Sequence, residues 1–278
     1  RRYEMILDIR RYFDEATGLL KPNPLNGIES QHNTLELTGK YLVACSIGAI
    51  SVDSQEIIDR LIATYRRFWL ELKFLPRARA YVMTDDMINE AKGDVWRTKY
   101  NQDVPEYYFN TATSTTQLMH LLMGLWFIGH NRDFVSEICI KIVNSGWAIK
   151  YQGNTVVNGK FFPVGITGLQ SYIICKILGI NPGFIAAANL AFVGTWSKFK
   201  RNYIVAGKKL DEGEWWGIVQ WLYFIAKLGK ESHLKAFLPY YSIRLRIWLE
   251  GRLANTNPAD ELRDTLNLAI FRKIDSER

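Results

Sequence analysis

The segment Gly27 to Tyr41 (GIESQHNTLELTGKY) holds the densest set of side chains that could perform acid–base chemistry. Glu29, His32, Asn33 and Glu36 stand close together there, at the opening of a predicted helix. An imidazole exchanges protons near neutral pH, and the first backbone N–H groups of a helix favour an anion. The segment therefore predicts proton transfer on an anionic substrate. Capping of the helix by Asn33 is the simpler alternative.

Polar side chains also recur at matched positions in four otherwise apolar helices, each of which ends on a glycine. Twelve residues before the glycine stand Glu36, Gln117, Thr167 and Gly217, and nine before it stand Gly39, His120, Gln170 and Gln220. Positions three apart share one helix face, and polar groups in such surroundings must hydrogen-bond one another or line a wet cavity. The pattern predicts a substrate-binding ring made of Gln117, His120, Gln170 and Gln220. A satisfied polar layer inside the core is the alternative.

A third group of candidate residues lies at the start of the fourth of these helices. There the run DEGEWW places three carboxylates beside two indole rings. Paired carboxylates with aromatic platforms suit glycoside hydrolysis, and Glu36 or Glu29 would be the carboxylate on the opposite side. The substrate-binding residues predicted here are Glu29, Asp211, Glu214, Trp215 and Trp216. An acidic first turn matched to the helix dipole is the alternative explanation.

A sequence repeat predicts the helices that must position these side chains. In each repeated unit a long apolar helix ends at an Ile-Gly or Leu-Gly pair. The glycines are Gly48, Gly129, Gly179 and Gly229, and the last three lie fifty residues apart. A fixed period of this size is typical of stacked supersecondary units. The first helix of each unit is apolar on nearly every face, and the second has a charged face. Each unit is therefore predicted to be a helical hairpin.

These units predict an all-α protein in which repeated helical hairpins form an α/α toroid, or incomplete barrel. The apolar helices would form the inner ring, and their leading ends would surround one mouth. We expect a single domain over residues 1–278, because no shift in composition divides the chain. The one strand-like passage predicts a small β-hairpin insertion over about 147–164, with its turn at Asn158-Gly159.

The residues at the first inner helix resemble those of the heparinase-type and alginate-type polysaccharide lyases of the α/α-toroid class. Those families carry an Asn-His pair, followed a few residues later by an acid; here the order is His32-Asn33, with Glu36 three residues on. The resemblance covers about fifteen residues and the predicted architecture. It implies that Asn33 binds a uronate carboxylate and that His32 or a tyrosine removes the α-proton. A tyrosine would then protonate the leaving oxygen.

No motif fixes that tyrosine. Tyr107, Tyr108 and Tyr151 precede inner helices, and Tyr108 is taken as the fourth member of the predicted catalytic set, after His32, Asn33 and Glu36. No metal or cofactor is expected, because the sequence has no H-x-x-x-H or C-x-x-C spacing. It also lacks the glycine-rich motifs of nucleotide-binding proteins.

Composition narrows the class of partner. The chain has 278 residues, nine Trp, fourteen Tyr and a net charge of +7. Abundant Trp and Tyr suit sugar-stacking or protein-contact surfaces, and a basic balance favours an anionic partner. The basic residues come as short scattered pairs, so no nucleic-acid module is expected.

The protein is expected to be soluble and to occur in a reducing compartment such as the cytoplasm. The three cysteines lie in apolar helical runs, which predicts buried free thiols. The N-terminal run RRYEMILDIRRYF lacks the apolar core of a signal peptide. The longest apolar stretches are too short to cross a bilayer, so no membrane partner is expected.

Two functions of different classes fit these observations. The first is a glycan-active protein that acts on an acidic polysaccharide or oligosaccharide by β-elimination, as a lyase, or by hydrolysis. The repeat, the aromatic residues, the basic charge and the predicted polar ring favour it. The second is a non-enzymatic helical-repeat structural or adaptor protein, for example of a viral (phage) particle or another assembly. Such a protein would use its aromatic surface for protein partners.

Overall fold

The fold is mixed α/β. The structure is a computed structural model that describes residues 7–21, 34–51, 55–83, 96–162, 166–183, 212–229 and 261–277. The described residues are about 57% helical with 19% strand, and they form seven helices and three small antiparallel sheets. The all-α class, and with it the all-helical toroid predicted from the repeat, is therefore wrong.

The helices include the apolar helix of each repeated unit, as the repeat predicts. They are α1 (Thr34–Ser46), α2 (Gln55–Leu72), α3 (Thr115–Phe127), α4 (Arg132–Asn144), α5 (Ile166–Leu178), α6 (Glu212–Gly229) and α7 (Glu261–Ser276). Past α1 and α3, Gly48 and Gly129 adopt φ values of +66° and +79°, which only a residue without a Cβ adopts at little cost. The second helices predicted for the last two units are Pro182 to Lys200 and Ser232 to Leu249, which lie outside the described residues except at 182–183, where the chain is not helical.

Helix α3 lies at the centre of the helical packing. It contacts α1, α4, α5 and α6, while α6 also packs on α5, and α7 packs on α1. The interior between them is filled by fully buried side chains such as Leu42, Leu121, Phe224 and Phe271. In the part of the chain that is described, no helix has both the length and the apolar character needed to cross a bilayer.

Where the chain is described, its strands form three separate antiparallel sheets. In the first, β1 (Phe13–Asp14) pairs with β2 (Leu19–Leu20). The second has the order β3 (Ala78–Ala80), β5 (Val104–Asn110), β4 (Trp96–Asn101). In the third, β6 (Ala148–Tyr151) pairs with β7 (Asn154–Lys160).

The three-stranded sheet accounts for most of the failure of the all-α prediction. It lies between the first two repeated glycines, in a stretch that does not share the helical repeat. On β5, Tyr107 and Phe109 are buried, whereas Tyr108 between them is only half-buried, which is the period of a strand. The ring of Tyr107 packs against Phe68 of α2 at 6.0 Å between centroids. Sheet and helix therefore cover each other's apolar faces.

A hairpin lies within the span 147–164, but its predicted turn is wrong. The two residues that join β6 to β7 are Gln152 and Gly153, with φ values of +48° and +81°. Asn158-Gly159 lies inside β7 instead. A Cβ on Gly159 would come within 2.7 Å of the Val156 side chain, so this glycine permits close packing in an irregular stretch of the strand pair.

Candidate functional site

Charged and amide side chains from four helices are buried together beside the centre of the helical packing. The polar cluster, as we name it, consists of Glu36, Lys40, His120, Gln220, Arg263, Asp264 and Asn267. All except Glu36 and Arg263 are at most 2% exposed. Because isolated charges are strongly disfavoured away from water, the members must compensate one another.

Glu36 and Lys40 form the ion pair at the centre of the polar cluster. They stand one helical turn apart on α1, and the Lys40 Nζ donates to the Glu36 Oε1 at 2.5 Å. Burial by itself would raise the pKa of Glu36, but the charge and hydrogen bond of Lys40, together with the charges of His120 and Arg263, outweigh it and hold the pKa at about 2. Burial lowers the pKa of Lys40, and Glu36 opposes that change.

His120 is a neutral imidazole at physiological pH. Burial and the charge of Lys40 lower its pKa to about 3, against the opposing effects of Glu36 and of a hydrogen bond with Gln220. Its ring lies 5.9 Å from that of Trp221 on α6. The Gln220 Nε2 donates to the Asn267 Oδ1 at 2.7 Å, which extends the network from α3 through α6 to α7.

The polar cluster depends on the close approach of α1 and α3. At Gly39 a Cβ would overlap the backbone carbonyl group of His120 and the amide nitrogen of Leu121. At Gly124, one turn further along α3, a Cβ would lie 2.6 Å from the Gly39 oxygen. The two helices thus touch through backbone rather than side chains, which brings the helix that carries Glu36 directly against the one that carries His120.

Three residues predicted from the sequence, Glu36, His120 and Gln220, meet in the polar cluster. They do so because His120 and Gln220 stand at matched positions of the repeat and Glu36 lies three residues earlier on the same helix face, and these faces of neighbouring helices meet. Gln170 is fully buried on α5. Its Nε2 lies 3.4 Å from the Oγ1 of Thr116, which stands four residues before His120 on α3. The structure therefore makes these residues interior groups, which is also what a polar layer in the core requires.

Two other predicted residues, Gln117 and Tyr108, belong to a helix cap and a strand rather than to the polar cluster. The Gln117 side chain accepts from the Ser114 backbone amide, while the Ser114 hydroxyl accepts from the Gln117 amide, and together they form a capping box at the start of α3. Tyr108 lies on β5, where it pairs with Ala80 and Thr98. Within the described residues no hydrogen bond joins the Tyr108 hydroxyl to the polar cluster.

The remaining predicted residues have no described side-chain geometry. Glu29, His32, Asn33 and Asp211 lie outside the described residues. Glu214, Trp215 and Trp216 fall within α6, in the part of that helix whose side chains are not described. Their predicted roles therefore stay predictions.

Sequence reasoning missed Lys40 and the residues of α7. For Lys40 the signal was present, because a lysine four residues after Glu36 in an apolar helix is ideally spaced for an ion pair. Asp264 and Asn267 lie on the closing helix, which is outside the fifty-residue repeat, so no matched position pointed to them. Among the described residues, no group of three or more His, Cys, Asp or Glu side chains could hold a metal ion.

Removal of the buried cation alone is expected to destabilise the protein strongly. Lys40→Met leaves the Glu36 carboxylate buried without its ion-pair partner and should lower the free energy of unfolding by about 3 kcal/mol. The double variant Glu36→Gln/Lys40→Met should regain more than half of this loss. Urea unfolding followed by circular dichroism at neutral pH measures both values.

Lys227→Met is the matched control for that experiment. It breaks an exposed ion pair, in which the Lys227 Nζ lies 2.9 Å from a Glu277 oxygen, and should change stability by less than about 1 kcal/mol. Equal effects of Lys40→Met and Lys227→Met would contradict the central place given to the buried pair.

The polar cluster and its surroundings define a mixed α/β protein with a charged interior between packed helices. No protein-family model matches the chain, and no curated protein or solved structure matches it either. Its function must therefore be argued from the chemistry of its own residues.

Proposed function

We propose that the protein acts on an acidic polysaccharide and cleaves it by β-elimination or hydrolysis. The observation that supports this is the burial of Lys40 and His120 on α1 and α3, beside the partly buried Glu36. Buried charges add little stability compared with apolar side chains, and shifted pKa values concentrate at functional sites. The net charge of +7 favours an anionic substrate.

The protonation state of Glu36 limits the role that this residue can have in either reaction. A carboxyl group with a pKa of about 2 remains ionised at ordinary pH, so it is unsuited to the proton donor that two-carboxylate hydrolysis requires. In β-elimination a base removes the proton next to the uronate carboxylate, a carbon–carbon double bond forms, and the bond to the leaving oxygen breaks. Glu36 then only orients its neighbours, while other groups move the protons.

In this proposal the residues just before α1 perform the chemistry. Asn33 directly precedes the first residue of α1 and would bind the uronate carboxylate, and His32 would accept the α-proton. Tyr108 would return a proton to the leaving oxygen. The Glu36–Lys40 ion pair, which lies further along α1, would provide a constant electrostatic environment for these residues.

The test is incubation with alginate, heparin, hyaluronan and pectin, with both ultraviolet absorbance and reducing ends recorded. Elimination creates unsaturated uronates that absorb in the ultraviolet, whereas hydrolysis releases reducing ends without that absorbance. His32→Ala and Asn33→Ala should abolish turnover and leave the helical circular-dichroism signal intact, and His130→Ala, on an exposed histidine, should do neither. Full activity in both site variants would refute the assignment of the catalytic residues.

A structural or assembly protein is the second candidate, and the burial of the polar ring favours it. His120, Gln170 and Gln220 are at most 2% exposed, so no substrate reaches them in this conformation. A closed polar layer can specify which helices pair, without any chemistry. Absence of both products from all four polysaccharides would support this candidate over the enzyme.

A further inference from the structure

A second group of cations surrounds a shallow depression between the end of α2, helix α4 and strand β6. The lysine depression, as we name it, is bordered by Lys73, Lys141 and Lys150. Its floor is apolar and includes Trp69, Phe74, Leu118, Ile138, Ile142 and Ile149. It is partly open to solvent, and its cavity volume is only about 20 Å³. A ligand would therefore lie across it rather than inside it.

The charges around the lysine depression are unbalanced. Glu137 is the carboxylate near them: it lies 3.8 Å from the Lys73 Nζ and also accepts from the Trp69 indole at 2.6 Å. Lys150 makes no ion pair with any described residue. Counted over the described residues alone, three ammonium groups against one carboxylate leave a local charge of +2.

Lys141 shows that this crowding is unfavourable. Burial lowers its pKa, and the charge of Lys73 lowers it further, although Glu137 opposes the change. Its Nζ lies over the Trp69 ring, 5.1 Å from the centroid, and donates to the Lys73 backbone oxygen at the end of α2. That hydrogen bond explains Lys141 as a helix cap, but it does not explain why Lys150 of β6 stands beside the same depression.

We propose that the lysine depression binds the acidic group of a saccharide, a carboxylate or a sulfate, with the sugar ring lying over the apolar floor. A bound anion would relieve the repulsion between the lysines through charge-assisted hydrogen bonds. A sugar ring offers the matching combination of an apolar face and a charged substituent. The choice of ligand rests on the proposed function, and the local charge of +2 argues for the anion independently.

The lysine depression is separate from the polar cluster. Leu118 of α3 lines the depression, and His120 of the polar cluster stands two residues further on, which places it on the opposite side of the helix. Binding in the depression therefore does not require access to the buried polar cluster.

Calorimetric titration with defined oligosaccharides tests this proposal. The probes are an alginate tetrasaccharide with carboxylates only, a heparin tetrasaccharide with sulfates as well, and neutral maltotetraose. We expect either acidic probe to bind and the neutral one not to bind. Lys73→Gln and Lys150→Gln should each weaken binding about fivefold. Lys160→Gln, on the exposed part of β7, is the matched control and should leave affinity unchanged.

The outcomes separate this proposal from the enzymatic one. Binding that weakens in Lys73→Gln and Lys150→Gln, but not in Lys160→Gln, supports the lysine depression even if no polysaccharide is cleaved. Cleavage with an unchanged KM in both variants overturns it and leaves the enzyme proposal intact. Failure of both acidic probes to bind the wild-type protein overturns it as well. Unchanged urea midpoints in the variants confirm that they are folded.

Discussion

Mild acid is expected to destabilise the protein through His120. The imidazole has a pKa of about 3 in the folded chain and an ordinary value of 6.5 when unfolded. Between these values the unfolded chain binds a proton that the folded chain does not, so stability is complete above about pH 6.5 and falls as the pH is lowered towards 3. The loss is about 1.4 kcal/mol per pH unit, or about 5 kcal/mol in total.

Glu36 adds a second loss at lower pH. Its pKa is about 2 in the folded chain against an ordinary value of 4.5. Its contribution is therefore present above about pH 4.5 and is lost as the pH falls towards 2. The free energy of unfolding should thus decline with the slope of one proton from about pH 6.5 to 4.5, and with the slope of two below that.

Urea unfolding at a series of pH values measures these slopes. His120→Gln should remove most of the slope above about pH 4.5, because an amide does not titrate. His130→Gln provides the control, since His130 is an exposed histidine and its replacement should leave the slope unchanged. A wild-type slope in His120→Gln would mean that His120 is not buried as a neutral group.

The helices could be predicted because their signals are local. Helices α4 and α5 have the bounds that the apolar period and the glycine ends indicate, Arg132–Asn144 and Ile166–Leu178. Each signal lies within a few residues of the boundary that it sets.

The three-stranded sheet could not be predicted in the same way. The turn between β4 and β5 uses Gln102 and Asp103 at φ values of +47° and +65°, where a glycine or asparagine would have marked a hairpin. Strand β3 reaches this pair from beyond α2, so its pairing depends on tertiary packing. Short strands that obtain their stability from packing leave a weak pattern in the sequence.

Part of the candidate site could be predicted because the chain contains a helical repeat. His120 and Gln220 stand at equivalent positions of the repeat, and Glu36 lies three residues earlier on the same face, so contact between neighbouring helices brings the three together. The arrangement of Asp264 and Asn267 opposite them depends on how α7 packs against α1, which no internal repeat encodes. The close approach of α1 and α3 could not be predicted either. A glycine inside a helix normally indicates low helix stability rather than a close contact between two helices.

Gly39→Ala is expected to destabilise the protein more than any other single methyl group added to these helices. The new Cβ would overlap the backbone of His120 and Leu121, which cannot turn aside as a flexible side chain can. Helices α1 and α3 would have to separate, with a loss of about 4 kcal/mol or more in the free energy of unfolding. Helix propensity alone predicts the opposite sign, a gain of about 1 kcal/mol.

That difference in sign makes the measurement decisive. Gly129→Ala is the matched control: its Cβ would meet open space, and only its φ of +79° is unfavourable, so the loss should be about 1 kcal/mol. Urea midpoints of the two variants and the wild type give the comparison. A stabilised Gly39→Ala would show that α1 and α3 do not touch through their backbones. The polar cluster, which that contact holds together, would then lack its geometric basis.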